Sequence, residues 1–215
     1  MDGKELVSGA AYDVYMDIKK RTNGEIYFGV VGPVRTGKST FIKRFMELCV
    51  LPSMKDDNKR KRAQDELPQS SGGTTVMTVE PKFIPSEAAL ISPFEGINMK
   101  VRLVDCVGFM VEGANGHLDN GKERMVKTPW DTKEIAFSKA AEIGTKKVIN
   151  DHSTIGIVVT TDGSFTEIDR TNYVAAEKKT INELKKINKP FVVILNSDKP
   201  CLLYTSPSPR DVEES

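Results

Sequence analysis

Eight consecutive residues, Gly32 to Ser39, have the types and the spacing that hold a phosphate group. They read Gly-Pro-Val-Arg-Thr-Gly-Lys-Ser, a G-x-x-x-x-G-K-S pattern between a short apolar run and a helical pattern. Glycines let the backbone curl so that several N–H groups face an anion, and the following helix presents its positive end to the same anion. Lys38 would reach the β- and γ-phosphates, and Ser39 would ligate Mg²⁺. The alternative is a glycine-rich turn that carries a lysine by chance.

A second motif follows the apolar run 101–104, where a later strand is expected to end. It reads Asp105-Cys106-Val107-Gly108, a D-x-x-G pattern. Asp105 would hold the water shell of Mg²⁺, and the N–H of Gly108 would approach the γ-phosphate. The alternative is an ordinary turn at the end of a strand. The two motifs together predict nucleotide contacts from Gly32, Pro33, Val34, Arg35, Thr36, Gly37, Lys38, Ser39, Thr40 and Gly108.

Between these motifs lies the run Gly72-Gly73-Thr74-Thr75, which directly precedes an apolar stretch. One of its threonines could close over Mg²⁺ and the γ-phosphate as a switch element, although the run could also be a plain entry into a strand. The order of phosphate loop, threonine and D-x-x-G is that of the translation-factor-like GTPase class. The predicted catalytic residues are Lys38, Thr74, Thr75 and Asp105, and the predicted metal ligands are Ser39, Asp105 and Thr75.

Two departures from that class bear on specificity and turnover. Guanine-reading members carry N-K-x-D after a late strand, whereas the corresponding run here is Asn196-Ser197-Asp198-Lys199. Its Lys and Asp have the wrong offsets, so guanine selectivity loses its physical basis. Many of these GTPases also place a Gln after D-x-x-G to orient the attacking water, but this chain has Phe109 there. Another group must then orient the water, or turnover must be slow.

The elements needed to position these motifs can be recognised by their periodicity. Strands and helices alternate, which predicts a three-layer α/β/α P-loop NTPase fold with a mostly parallel sheet. Pro81 would put one antiparallel strand at the sheet edge. We predict a glycine-rich mobile loop over 108–121 and a buried strand over 191–195. The other predicted strands are 26–31, 76–84, 97–104 and 153–160, and the predicted helices are 5–20, 38–50, 131–150 and 170–187.

Composition excludes several kinds of protein. The net charge of +1 gives no electrostatic case for binding nucleic acid or an anionic membrane. The basic run 59–62 is flanked by acidic residues, which favours a solvated surface over a nucleic-acid site. The three cysteines lack a C-x-x-C spacing, so neither a disulfide framework nor a zinc site is predicted. Without an apolar signal region or a run of ~20 apolar residues, we expect a soluble cytoplasmic protein with no transmembrane segment.

Residues after about position 197 depart from the rest of the chain. They include Cys-Leu-Leu-Tyr-Thr-Ser-Pro-Ser-Pro-Arg-Asp, which resembles an in-frame translation of sequencing-adapter DNA. We therefore expect a P-loop domain over 1–197, which the family resemblance described next makes a P-loop ATPase domain, and a non-native tail over 198–215, in a fragment of a longer natural protein.

Longer motifs of the chain resemble the bacterial stage IV sporulation protein A family. They are the run from Gly32 to Glu47, the run from Thr74 to Pro85, Leu-Val-Asp-Cys-Val-Gly, and Val-Val-Thr-Thr-Asp-Gly-Ser-Phe-Thr-Glu-Ile. The resemblance covers nearly everything up to residue 197. It maps the family's Walker-type lysine onto Lys38, its magnesium-side aspartate onto Asp105, and its threonine sensor pair onto Thr74 and Thr75.

The resemblance implies an ATPase that evolved from the GTPase class, with ATP and Mg²⁺ as cofactors. In that family hydrolysis drives irreversible self-assembly of the base layer of the spore coat. Recruitment to the forespore surface in the mother cell depends on a small amphipathic membrane peptide. It also implies that the middle and C-terminal domains, which would contact that peptide and coat proteins, are absent here. We therefore expect the chain to bind nucleotide without polymerising or localising.

Three other functions stay open on the residues alone. A regulatory GTPase-type switch would need guanine selectivity, and the missing N-K-x-D argues against it. A small-molecule kinase would need an acceptor lid and a catalytic base, for which the sequence offers no clear candidate. A nucleotide-binding scaffold without turnover would keep the loop but lose hydrolysis.

Overall fold

Five strands form the central sheet, and helices pack against both of its faces. The computed structural model describes residues 24–68, 79–94, 97–114, 116–119 and 121–200. The predicted helix over 5–20, the predicted switch residues Thr74 and Thr75, and residues 201–215 lie outside the described part of the chain.

The described elements alternate between strand and helix, with two small hairpins inserted after the third strand. In chain order they are β1 (Glu25–Val31), α1 (Lys38–Phe45), α2 (Asp57–Asp65), β2 (Lys82–Phe94), β3 (Ile97–Asp105), β4 (Leu118–Asp119), β5 (Lys122–Glu123), β6 (Met125–Thr128), β7 (Asp131–Ala136), α3 (Phe137–Lys147), β8 (Ile155–Thr161), α4 (Arg170–Lys186) and β9 (Phe191–Asn196). A π-helical turn, Met46–Val50, and a 3₁₀ turn, Leu51–Ser53, continue α1, and a second π-helical turn, Val148–His152, continues α3.

The strand order of the sheet is β2-β3-β1-β8-β9. Strands β3, β1, β8 and β9 run parallel, and β2 pairs antiparallel with β3 at the edge. The predicted mostly parallel sheet with one antiparallel edge strand is therefore confirmed. Because β1 and β3 are parallel neighbours, with Val30 paired to Asp105, the two predicted motifs begin at the same end of the sheet.

Side chains alternate across the sheet and build a core on each face. On one face, Ile42 and Met46 of the α1 segment pack with Leu103 of β3. On the other, Tyr173 and Leu184 of α4 pack in one cluster with Val104. Leu103 and Val104 are successive residues of one strand that serve opposite cores, so the three-layer α/β/α architecture follows from the period of two along β3.

The charged run over 54–66 forms α2, and its basic residues contact acidic neighbours. Lys59 Nζ and Arg62 Nη1 lie 3.4 and 3.6 Å from the carboxylate of Glu87, and Arg60 lies 2.6 Å from Asp57. This agrees with the prediction of a solvated charged face. No helix in the described part of the chain combines the length and the apolar character needed to cross a bilayer.

The predicted helix over 131–150 begins six residues too early. Residues Asp131–Ala136 instead form β7, which pairs antiparallel with β6, and α3 starts at Phe137. A tight connection at Pro129 and Trp130 returns the chain, bringing Asp131 opposite Thr128. Four exposed residues open β7, so its sequence lacks the apolar alternation that would have indicated a strand.

The segment over 108–121, predicted to be a mobile loop with few packing residues, packs into the core over its first part. Phe109, Val111 and Ala114 are buried and belong to the core cluster that contains Tyr173 and Val34. The start of this segment is therefore anchored in the core beneath α4.

Strand β9 was predicted to be buried, and this was wrong. Its side chains at Val192, Val193 and Leu195 are 55%, 50% and 43% exposed. The strand pairs with β8 along one edge. In the described part of the chain, no strand pairs with its other edge. Apolar composition indicated burial, but burial requires neighbours on both sides and both faces.

Leu103 and Leu90, on the neighbouring strands β3 and β2, offer a matched test of the core. Leu103 is fully buried and Leu90 is 54% exposed. We expect Leu103→Ala to lower the free energy of unfolding by about 2–5 kcal/mol, because it leaves a cavity, and Leu90→Ala to change it by less than about 0.5 kcal/mol. Urea denaturation of both variants measures the difference. Equal destabilisation would contradict the placement of β3 in the core.

Candidate functional site

The loop 32–37 joins the end of β1 to the start of α1 and leaves the sheet between its neighbouring strands. Gly32 has φ of +138°, and a Cβ built there would lie 2.3 Å from the carbonyl oxygen of Val159 on β8. Any other side chain at this position would collide with the backbone of the sheet. Glycine is therefore required where the loop begins, which explains the first residue of the motif.

The loop is held in shape by hydrogen bonds to its own carbonyl groups. The buried Thr36 hydroxyl donates to the carbonyl of Pro33 at 3.0 Å. The side-chain amide of Asn196, at the end of β9, donates to the carbonyl of Thr36 at 3.2 Å. Val34 is buried in the core, while Arg35 is exposed and has a left-handed φ of 59°. The loop is thus held by a bond within itself and by a bond to the end of β9, which lies two strands away from β1 in the sheet.

Lys38 opens α1, and its side chain folds back into the loop. Its ammonium donates to the carbonyl of Pro33 at 2.5 Å, and the residue is almost completely buried. Burial lowers the pKa of Lys38, while the nearby Cys106 and Asp105 raise it. The hydrogen-bond partner of this buried ammonium is a neutral carbonyl, so a phosphate oxygen would add a directly bonded anion to the more distant charge of Asp105.

Asp105 ends β3 and reaches the first turn of α1. Its Oδ2 accepts a hydrogen bond from the Ser39 hydroxyl at 2.8 Å, whereas its Oδ1 is buried and has no hydrogen-bond partner in the structure described. Burial raises the pKa of Asp105, and the Ser39 hydrogen bond and the charge of Lys38 oppose that rise. A buried carboxylate oxygen without a partner, beside a hydroxyl, fits the oxygen ligands that Mg²⁺ prefers.

Gly108 lies directly over the phosphate loop. It has φ of +99°, and a Cβ built there would lie 2.3 Å from the Gly32 carbonyl oxygen and 2.7 Å from Lys38 Nζ. Its own N–H donates to the hydroxyl of Thr145 on α3 at 3.2 Å. The two motifs are therefore in contact, with no room for a side chain between them.

Phe109 continues this contact as a backbone bridge. Its N–H donates to the Gly32 carbonyl at 3.1 Å, and its carbonyl accepts from the Val34 N–H at 2.9 Å. The ring is buried and lies 4.9 Å from Lys179 Nζ, measured from the ring centroid. A phenylalanine ring that is buried in the core has no polar group to orient a water molecule.

The structure brings most, but not all, of the predicted site residues together. Lys38, Ser39, Asp105 and Gly108 meet around the loop, and Thr40 is exposed on the first turn of α1. Thr74 and Thr75 lie outside the described residues, so their roles stay predictions.

Two residues of the site were missed as contacts by sequence reasoning. In the sequence, Asn196 stands out only as the first residue of a run that lacks the N-K-x-D spacing. Its place at the end of a parallel strand nevertheless indicates a position near the loop. Thr145 had no such signal, because a threonine inside a helix is unremarkable until the fold places it beside Gly108.

Cys106 lies beside Lys38 and Asp105, and its thiol should be chemically inert, because burial raises the pKa of the thiol by more than the charge of Lys38 lowers it. Cys49 is exposed, whereas burial raises the pKa of the Cys106 thiol to about 11. At pH 8 only about one Cys106 in a thousand would be a thiolate, the form that reacts with disulfides. In a Cys201→Ser background, we expect one thiol per chain to react with a disulfide reagent in the native state and two in urea. Rapid native reaction of Cys106 would contradict its burial.

Comparison with known proteins gives one consistent result. Residues 10–214 match the family model described as "Stage IV sporulation protein A, ATPase domain". The chain is 56% identical over 202 residues to stage IV sporulation protein A of Clostridioides difficile, covering 94% of this chain and 41% of the relative. It is 56% identical over 188 residues to that of Bacillus anthracis, covering 87% and 38%.

The protein of the same name from Bacillus subtilis is 52% identical over 202 residues, which cover 94% of this chain and 41% of the relative. The chain thus spans about two fifths of the length of the curated relatives it matches.

Proposed function

Because the chain belongs to the stage IV sporulation protein A family over its ATPase domain, we propose that it binds ATP with Mg²⁺ and hydrolyses the bond to the γ-phosphate. The observation that carries this proposal is the meeting of Lys38, the Ser39–Asp105 pair and Gly108 around one glycine-bounded loop. These groups supply the cation, the metal-binding oxygens and the close backbone approach that phosphoryl transfer requires.

Lys38 is the group that would change partner when ATP binds. Its ammonium donates to the Pro33 carbonyl at 2.5 Å, and a phosphate oxygen offers a charged acceptor in place of a neutral one. The N–H groups of the loop and of the first turn of α1 would bind the remaining phosphate oxygens. The burial of Lys38 strengthens its attraction for the anion, because little water screens the two charges.

Ser39 and Asp105 would hold Mg²⁺, with Thr75 as a predicted further ligand. The hydrogen bond that joins Ser39 to Asp105 keeps both oxygens at one point of the site. When bound, Mg²⁺ neutralises charge that develops on the phosphate oxygens during hydrolysis. Asp105 Oδ1, buried without a partner in the described structure, is the oxygen with unused capacity for this role.

The group that orients the attacking water is not Phe109, because its ring is buried in the core. Thr74 and Thr75 are the proposed candidates, since their place in the sequence matches the switch threonine of related nucleotide-binding proteins. Hydrolysis is then expected to be slow, because a hydroxyl is a weaker acceptor for a water proton than the amide oxygen of glutamine.

Adenine rather than guanine is the proposed base. The run Asn196-Ser197-Asp198-Lys199 lacks the spacing of a guanine reader, and the side chain of Asn196 donates to the carbonyl of Thr36. The name of the matching family domain, an ATPase domain, supports the same choice.

At the level of the whole protein, we propose that ATP hydrolysis drives self-assembly of a spore coat base layer on the forespore surface. Contacts with a small amphipathic membrane peptide and with coat proteins would then belong to the part of the relatives that this chain does not match. This chain would act in the mother-cell cytoplasm as the nucleotide-hydrolysing unit. The names of its relatives as sporulation proteins support the setting.

Titration with ATP and with GTP, each with Mg²⁺, tests the proposal, followed by phosphate release from both nucleotides. We expect tighter binding of ATP and release of phosphate from ATP that stops when Mg²⁺ is chelated. Preference for GTP would favour the regulatory switch. Binding of ATP without any phosphate release would favour a scaffold, and transfer of phosphate to an added acceptor would favour a kinase.

A further inference from the structure

The amide of Gly108 is hydrogen-bonded to a residue of α3 in the structure described. It donates to the hydroxyl of Thr145 at 3.2 Å, on the α3 side of the segment. In the proposed mechanism this same N–H would bind the γ-phosphate. The hydroxyl of Thr145 therefore accepts the hydrogen bond that the γ-phosphate would accept in its place.

The single proton of the Thr145 hydroxyl fixes the direction of this contact. The hydroxyl donates its single hydrogen to the carbonyl of Ala141 at 2.8 Å, one turn earlier in α3. Its oxygen lone pairs are then left to accept from Gly108. Thr145 is 0% exposed, so water does not replace it freely as the partner of the amide.

The surroundings of Gly108 limit movement to a small part of the backbone. On one side, the Cys106 thiol donates to the Val30 carbonyl at 3.5 Å. On the other, Phe109 is bridged to Gly32 and Val34, and its ring is buried. Because both flanks are held, a change in the direction of the Gly108 N–H would have to come from rotation of the peptide unit between Val107 and Gly108.

Gly108 permits such a rotation and lies where it would matter. Its φ of +99° belongs to a region that glycine enters without a steric penalty. The residue is so close to Lys38 that a Cβ would lie 2.7 Å from the ammonium nitrogen. Rotation of one peptide unit would therefore turn the N–H from Thr145 toward the position where Lys38 binds phosphate.

We propose that Thr145 is a positioning residue that holds the Gly108 amide when no γ-phosphate is present and releases it to the triphosphate. This inference rests on the proposed function. Thr145 sets how strongly the site distinguishes ATP from ADP, since only ATP offers an acceptor in exchange for the threonine hydroxyl. A charged phosphate oxygen is a stronger acceptor than a hydroxyl, so the exchange is favourable once ATP is bound.

The test compares Thr145→Val with Thr145→Ser and Thr180→Val. Valine keeps the shape of threonine but removes the acceptor, and serine retains it. Thr180 is also fully buried and donates to the carbonyl four residues earlier, Ala176, at 2.8 Å in α4. Thr180→Val therefore reports the effect of losing such a buried bond away from the nucleotide.

The measured quantity is the ratio of the Kd for ADP to the Kd for a non-hydrolysable ATP analogue, both with Mg²⁺. We expect Thr145→Val to raise this ratio by about 3- to 10-fold, in favour of the triphosphate. This change corresponds to the net free energy of one hydrogen bond. Thr145→Ser and Thr180→Val should keep the wild-type ratio. An unchanged ratio in Thr145→Val, with nucleotide still bound, would overturn the role of Thr145 and leave the proposed function standing.

A second measurement uses the wild-type chain and does not depend on how the variants fold. The amide resonance of Gly108 should shift when the non-hydrolysable ATP analogue binds and stay near its unliganded position with ADP. Equal shifts with both nucleotides would overturn the inference. Failure of the wild-type chain to bind either nucleotide would overturn the proposed function and this inference together.

Discussion

Replacing Lys38 with alanine is expected to weaken ATP binding by about 30- to 1000-fold. This range corresponds to about 2–4 kcal/mol, the usual effect of removing one partner of a desolvated charged hydrogen bond. Lys38 is the first residue of α1, and its buried side chain places the ammonium group beside the loop. Titration calorimetry with ATP and Mg²⁺ measures the loss.

Lys43 provides the matched control, because it lies on the same helix with its ammonium 4.0 Å from the carboxylate of Glu47. Its side chain is 37% exposed, and an exposed ion pair contributes little, so Lys43→Ala should change ATP affinity by less than about twofold. Thermal unfolding of both variants separates lost binding from lost folding. If Lys38→Ala bound ATP as tightly as Lys43→Ala, the loop would not be the phosphate site.

Asp105→Asn is expected to reduce phosphate release at saturating ATP by about 100- to 1000-fold, while ATP affinity falls by less than about tenfold. Asparagine preserves the size of the side chain and can still accept from Ser39, but it removes the negative charge that would hold Mg²⁺. Stabilisation of transition-state charge by a bound metal contributes several kcal/mol, which corresponds to this loss of rate. A phosphate-release assay across ATP concentrations measures rate and affinity separately.

Asp162 is the control for this variant, because it follows β8 at the same end of the sheet. Its carboxylate accepts from the Ser164 N–H at 2.9 Å, and hydrogen bonds from Ser164 and Ser197 lower its pKa to about 2. We expect Asp162→Asn to release phosphate within about twofold of the wild-type rate. Wild-type turnover in Asp105→Asn would show that this carboxylate takes no part in hydrolysis.

The parts of the fold that were predicted correctly are those that local sequence specifies. The strand before Gly32 and the helix from Lys38 follow from an apolar run, a glycine-bounded turn and helical spacing within about twenty residues. Strand β3 was equally clear, because its alternating apolar residues serve both cores. The mostly parallel sheet then followed from the alternation of strands and helices.

The errors arose where structure depends on distant neighbours. Strand β7 exists because the turn at Pro129 and Trp130 returns it to β6, and its four exposed residues carry no strand pattern. The segment after Gly108 is anchored by Phe109, whose burial under α4 could not be read from a glycine-rich composition. The exposure of β9 likewise depends on its place in the strand order.

For the candidate site, motif spacing predicted which residues would meet but not their hydrogen-bond partners. The bond from Gly108 to Thr145 joins residues 37 positions apart, and the bond from Asn196 to Thr36 joins residues 160 positions apart. No periodicity or short motif encodes such pairs. The roles of Thr74 and Thr75, and the division of the chain at residue 197, stay predictions.

The exposed strand β9 offers this chain a way to associate that does not involve the phosphate site. A strand with apolar side chains and one unpaired edge in the described structure is a template to which a strand of another molecule can add. Such aggregation needs no nucleotide and grows with protein concentration. Turbidity or sedimenting material is therefore not, by itself, a sign of polymerisation driven by hydrolysis. Only assembly that appears with ATP, and is absent without nucleotide at the same concentration, would report on the phosphate site.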